Sequence, residues 1–216
     1  MLTAWITVNG LSVSVFHNEG SGERDQDRWM VHPFGDGLRV VTIDGVTPWR
    51  AKEFYGDAGE YAAATVLGML STSMNLEEAL GEANMLLHDP RVAPSRRQAM
   101  AAVAALDCSV AGQFVLFNAI VAGDCSVWVA DSTGDVPVCV AGGDFLLPGL
   151  RADWEMAKLA NPDWSFDEML AYEAEFLDDP GTQVRHSIGR YQNPVLESRS
   201  STAGYVIVAS DGALID

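Results

Sequence analysis

One local pattern occurs three times in this sequence and constrains it more than any other. Val40-Val41-Thr42-Ile43 runs into Asp44-Gly45, Ile120-Val121-Ala122-Gly123 into Asp124, and Val206-Ile207-Val208-Ala209-Ser210 into Asp211-Gly212. Each is an apolar strand that closes on an acid with a glycine beside it. A strand held in a sheet fixes the direction of the side chain at its end. Three such strands ending at one edge would aim three carboxylates at one place. Without a counter-charge those carboxylates repel, and burial raises their pKa values. A divalent cation removes that cost, and ligands that are all oxygen favour Mg²⁺ or Mn²⁺. The neighbouring glycines let backbone approach such an ion closely. The competing reading is plain: Asp-Gly is a common turn pair, and a strand ending in it is most often only a turn.

The charge balance agrees with cation binding. The 216 residues hold 13 Lys+Arg against 30 Asp+Glu, a formal net charge of −17. Such a surface repels nucleic acid and anionic membranes, so neither is expected as a partner. Apolar residues make up 48% of the chain, enough to build a core. No apolar run approaches the roughly 20 residues of a bilayer span. The start, Met1-Leu2-Thr3-Ala4-Trp5, lacks the basic and apolar regions of a secretory signal. Three cysteines (Cys108, Cys125 and Cys139) form neither a pair motif nor a zinc pattern, which suits a reducing cytoplasm.

Asn9-Gly10 between two strand-like runs predicts a tight hairpin. Trp29-Met30-Val31 and residues 38–43 read as the next strands, with a turn over 33–37. Residues 58–70 and 76–87 read as helices, the second capped by Asn75 with Glu77 and Glu78 in its first turn. Residues 99–106, Ala-Met-Ala-Ala-Val-Ala-Ala-Leu, have the local propensity of a helix. Their place just before the strands at 114–122 and 126–130 favours a strand. Residues 155–159 and 166–176 read as helices and 204–209 as a final strand. Strands at both ends with helices in blocks between them predict an α+β fold with antiparallel sheets.

Taken in order, these segments resemble the metal-dependent protein phosphatases of the PP2C (PPM) family, bacterial type. Arg24-Asp25-Gln26-Asp27-Arg28 resembles that family's opening "N-(E/Q)-D" motif, with Asp27 at the acid. Val40 to Gly45 resembles its "ADG" motif, and Gly56-Asp57-Ala58-Gly59-Glu60 the helix start after it. Val121-Ala122-Gly123-Asp124-Cys125-Ser126 resembles "VGDSRAYL", His186-Ser187-Ile188-Gly189 resembles "TRALG", and Val206 to Asp216 resembles "LLASDGLWD". Order and spacing agree along nearly the whole chain.

The resemblance implies an αββα sandwich, two antiparallel sheets flanked by helices, as one domain over residues 1–216 that stops short of the family's last segment. It implies two Mn²⁺ or Mg²⁺ ions, with a third at an accessory position. Asp44 would bridge two ions, the Gly45 carbonyl would bind one, and Asp211 the other. Asp27 would act through bound water, and Asp124 would serve the accessory ion. The implied reaction is hydrolysis of phosphoserine or phosphothreonine on a protein by a metal-bridging hydroxide, with a Ser/Thr kinase or its targets as partner. Residues 154–176 would form a flap near the substrate.

The sequence departs from the family at three places. Gly22 stands where a phosphate-clamping Arg is usual, leaving Arg24 as the nearby candidate. Val46-Thr47-Pro48 replaces the usual glycine after Asp44-Gly45. The family's last acidic ligand lies beyond Asp216, so the protein either ends there naturally or is truncated. These departures keep open an alternative, a catalytically impaired pseudophosphatase that acts as a regulatory binding module. Among other reactive residues, His186 and Cys125 read as structural rather than catalytic, and the acidic run 173–179 as a solvated helix face.

Overall fold

The computed structural model of the protein describes residues 2–17, 27–46, 58–89, 91, 99–130, 136–142, 156–165, 168, 172, 188–189 and 196–210. The chain opens with a hairpin, β1 (Leu2–Val8) and β2 (Leu11–His17). Val8 faces Leu11 across a two-residue loop in which Asn9 and Gly10 have φ of 50° and 82°. Positive φ at both loop residues matches the right-handed twist of the paired strands, which is why Asn-Gly selects this turn.

Five strands form the main sheet, in the order β3-β4-β5-β6-β9, and every pairing is antiparallel. They are β3 (Arg28–Phe34), β4 (Gly37–Val46), β5 (Met100–Ala111), β6 (Phe114–Ala122) and β9 (Glu197–Ala203). A second sheet has the order β10-β7-β8, from β7 (Ser126–Ala130), β8 (Val138–Gly142) and β10 (Tyr205–Ala209). Helices α1 (Ala58–Thr72) and α2 (Leu76–Leu87) lie on the other face of the main sheet. The fold is α+β, as the order of elements predicts, and the turn expected over 33–37 is shorter than that. Pro33 pairs with Leu38 inside β3. Proline is tolerated there because β3 is an edge strand and needs no outward N–H.

The central strand β5 joins the layers. Residues 101–106 are all buried, although five of the six are Ala or Val. Ala101, Val103 and Ala105 meet the helices, while Ala102, Ala104 and Leu106 meet the second sheet. Period-2 alternation on a strand covered on both sides accounts for this split. Helix α1 answers with Ala58, Ala62, Val66 and Leu70 at four-residue spacing. Small side chains on both partners bring helix and sheet close. Leu70, Leu80 and Leu87 then supply the larger burial, each worth roughly 1.5–3 kcal/mol.

Arg39 fastens α1 to the sheet. Its side chain is buried on the helix-covered face of β4, opposite Asp107 of β5. Nε and Nη2 donate to the two Asp107 carboxylate oxygens at 2.6 and 2.8 Å. Nη1 donates to the carbonyls of Leu70 and Ser73 at 2.8 and 2.6 Å, and the guanidinium lies 3.9 Å from the Phe34 ring centre. The last turn of α1 has no basic residue of its own, and Arg39 satisfies carbonyls that would otherwise lack partners there. At the start of α2, Asn75 accepts from the amides of Glu77 and Glu78, as expected of an N-cap.

Cys108, Cys125 and Cys139 form no disulfide with one another. Burial pushes the Cys108 thiol up to about 11. Its folded form therefore favours the proton, and its contribution to stability is complete below pH 9. We expect that contribution to fall away as pH rises from about 9 to 11, with Cys108→Ala removing that part of the pH dependence in urea titrations. Replacing Arg39 by Ala should cost about 3 kcal/mol or more in the same measurement, because it strands Asp107 and two helix carbonyls.

Candidate metal centre

Strand register shows which end of the sheets Asp27, Asp44 and Asp124 occupy. Asp44 pairs with Ala102 and Gly45 with Ala101, at the start of β5. Val103 pairs with Ala122, the last residue of β6, so the Gly123–Asp124 turn leaves the sheet at that same end. Arg28 pairs with Ile43, and Asp27 precedes it by one residue, beside the strand end that carries Asp44. In the second sheet Ala209 pairs with Ser126, the first residue of β7 after the Asp124 turn. Thus Asp27, Asp44, Gly45, Asp124 and the C-terminal end of β10 share one end of the two-sheet stack. The turns at Gly35 and Gly112 mark the other end.

Alternation also assigns a face. Val41 and Ile43 pack toward the helices, whereas Val40 packs against the second sheet. Asp44 follows Val40 and Thr42 onto the inter-sheet side, as does its partner Ala102. Asp27 differs in parity from Met30 and Arg28, which are directed to the helices. The strand ends therefore bring Asp27 and Asp44 to the same side of the main sheet, where the turn bearing Asp124 crosses to the second sheet. Asp124 is half-buried and Gly45 is buried.

Two features of this end carry no signal in the acid pattern. Arg28 donates from Nη1 to the Asp27 carbonyl at 2.7 Å and from Nη2 to Glu60 Oε1 at 3.0 Å. It ties the backbone of Asp27 to the first turn of α1. The neighbouring Arg24, singled out as the phosphate clamp, lies outside the described residues, as do Asp211 and the loop Thr47-Pro48. Gly142, at the end of β8, has φ of 76°, and a Cβ there would lie 2.1 Å from the Cys125 carbonyl oxygen. Cys125 itself is fully buried in the inter-sheet core, consistent with a packing role. Among the described residues, no three His, Cys, Asp or Glu side chains stand close enough to hold a metal ion.

No protein-family model matches the sequence, and no curated protein does. Solved structures do share its fold. The serine/threonine phosphatase Stp1 from Staphylococcus aureus has a TM-score of 0.57 at 13% identity, over 91% of this chain and 74% of that one. The Mycobacterium tuberculosis serine/threonine phosphatase PstP/Ppp has a TM-score of 0.53 at 16% identity, over 88% and 74%. RsbX, solved in complex with magnesium, has a TM-score of 0.58 at 11% identity, over 99% and 80%.

The protein has a PP2C-type fold. The expected α+β architecture of stacked antiparallel sheets is present. No helix among the described residues is long and apolar enough to cross a membrane.

The close approach at Gly142 generates a test of how tightly this edge is built. Gly142→Ala is expected to lower stability by roughly 2–3 kcal/mol, because the new methyl adds a clash to an unfavourable positive φ. Gly112→Ala, with the same sign of φ and open space around it, should cost less in a parallel denaturation experiment.

Proposed function

We propose that the protein hydrolyses phosphoserine or phosphothreonine on protein substrates with the help of bound Mn²⁺ or Mg²⁺. The observation that carries this reading is the shared position of Asp27, Asp44, Gly45 and Asp124 at one end of a PP2C-type sandwich. Asp211, one residue beyond Ser210 at the end of β10, belongs to the same proposed set.

The donors present suit hard divalent cations. They are carboxylates and one backbone carbonyl, with no thiolate or imidazole among them. Asp27, Asp44, Asp211 and the Gly45 carbonyl would hold two ions, and Asp124 would hold a third at an accessory position. Bound there, the ions supply positive charge to the phosphoryl oxygens and acidify water. A chain of net charge −17 needs that local reversal of sign before a dianionic phosphate can approach. Within this arrangement Asp44 orients through β4, whose register is fixed by β5. Arg28 holds the Asp27 backbone in place through its own contact with Glu60. Arg24 is assigned to neutralise phosphoryl charge. The substrates would be products of a Ser/Thr kinase acting in the cytoplasm.

A second reading, a pseudophosphatase that binds phosphoproteins without turnover, is favoured by Gly22 at the usual clamp position and by Val46-Thr47-Pro48 after Asp44-Gly45. Phosphopeptide hydrolysis separates the two. The phosphatase reading expects release of phosphate with Mn²⁺, none with excess EDTA, and a loss of about 100-fold or more in Asp44→Asn. Equal release with and without EDTA, or full activity in Asp44→Asn, defeats it. Phosphopeptide binding without release favours the module.

A further inference from the structure

Helix α2 buries Leu76, Ala79, Leu80, Ala83 and Leu87, and in the same stripe it buries Asn84. A buried amide is costly unless its polar atoms are bonded. Asn84 Oδ1 accepts from the Gly189 backbone amide at 2.8 Å, a bond that spans 105 residues of sequence. Gly189 has φ of 94°, and a Cβ there would lie 2.2 Å from the Ala99 carbonyl oxygen and 2.9 Å from Leu87 Cδ1. Helix and loop meet so closely that only glycine fits.

The preceding residue shows what this contact fixes. Ile188 is fully buried and makes a two-bond antiparallel bridge with Ala101. The Ala101 amide donates to the Ile188 carbonyl at 3.0 Å, and the Ile188 amide donates to the Ala101 carbonyl at 2.8 Å. Ala101 already pairs with Gly45 on its other side. From the Val103–Ala122 pair, a continued β6 would place Asp124 opposite Ala101. Ile188 occupies that slot instead. Its insertion extends the sheet where β6 turns away, so that Asp124 stands out of the ladder and Ile188 and Gly45 flank Ala101 on its two sides.

We propose that Asn84 is a positioning residue for the ion-binding end: it locks Ile188–Gly189 into the slot beside β5 and so sets the Asp124 turn against the Asp44–Gly45 strand end. The inference rests on the proposed use of that end for divalent cations. Its direct consequence, a protected Gly189 amide, does not depend on that use.

The test follows the Gly189 amide by hydrogen exchange and Mn²⁺ binding by calorimetry in the whole chain. Asn84→Leu removes the acceptor while keeping an apolar helix face, and Asn84→Asp keeps the acceptor. Asn84→Ala serves as a second variant should the leucine not fold. With circular dichroism unchanged, Leu or Ala should expose the Gly189 amide to exchange and weaken Mn²⁺ binding about 10- to 100-fold, with Asp restoring both. Unchanged exchange overturns the lock. Released Gly189 with unchanged Mn²⁺ affinity overturns its link to the site. If the native protein binds no Mn²⁺, the proposed function fails and the amide signals of Asp44 and Asp124 decide the positioning claim: shifts in Asn84→Leu support it, and their absence overturns it.

Discussion

Among the described residues, the main sheet, its two helices and the second sheet meet on one strand of small side chains. Residues 101–105 of β5 are Ala-Ala-Val-Ala-Ala, all buried, with helices on one face and a second sheet on the other. Two layers can approach one strand this closely only if it projects little volume. The same strand sets register on both flanks: β4 with Asp44 and Gly45 on one, β6 and then Ile188 on the other. Packing and site geometry thus share one element. A larger residue at 102 would push the second sheet away and also displace the direct partner of Asp44.

Polar groups secure what the alanines leave weak. Small side chains bury little apolar area, so the helices need other attachments. Arg39 supplies one at the far part of the main sheet, binding Asp107 and the end of α1. Arg28 with Glu60 supplies another at the start of α1, and Asn84 with Gly189 a third on α2. Two of the three lie next to the acidic end.

Much of this was legible in the sequence, for identifiable reasons. Asn9-Gly10 permits few alternatives to a tight hairpin, and Asn75 followed by Glu77-Glu78 marks a helix start. The strand assignment of 99–106 rested on its neighbours, and β5 shows that tertiary context overrode alanine's helix preference. Strand β9 carries no comparable signal: Glu-Ser-Arg-Ser-Ser-Thr-Ala is polar throughout because it is the exposed edge of its sheet. Arg39 and Asn84 left faint traces, each a polar residue on an otherwise apolar stripe. Their partners, 68 and 105 residues away, are set only by folding. Asp44 and Asp124 are marked by the strand-end pattern and Asp27 by the family resemblance, and register places the three at one end. Arg24 and Asp211 lie outside the described residues, so the family resemblance alone nominates Arg24, and the strand-end pattern with that resemblance nominates Asp211.

We expect this acidic end, and no other part of the surface, to gather divalent cations. Amide NMR signals during a Mn²⁺ titration read it directly, since a paramagnetic ion broadens nearby resonances first. The strands run about 3.3 Å per residue, so Gly35 and Gly112 lie on the order of 25–30 Å from the acids. Signals of Asp27, Asp44, Gly45 and Asp124 should vanish at the lowest Mn²⁺ concentrations while those of Gly35 and Gly112 persist. Uniform broadening, or loss that begins at Gly35 and Gly112, would show that the ions do not gather at the acidic end.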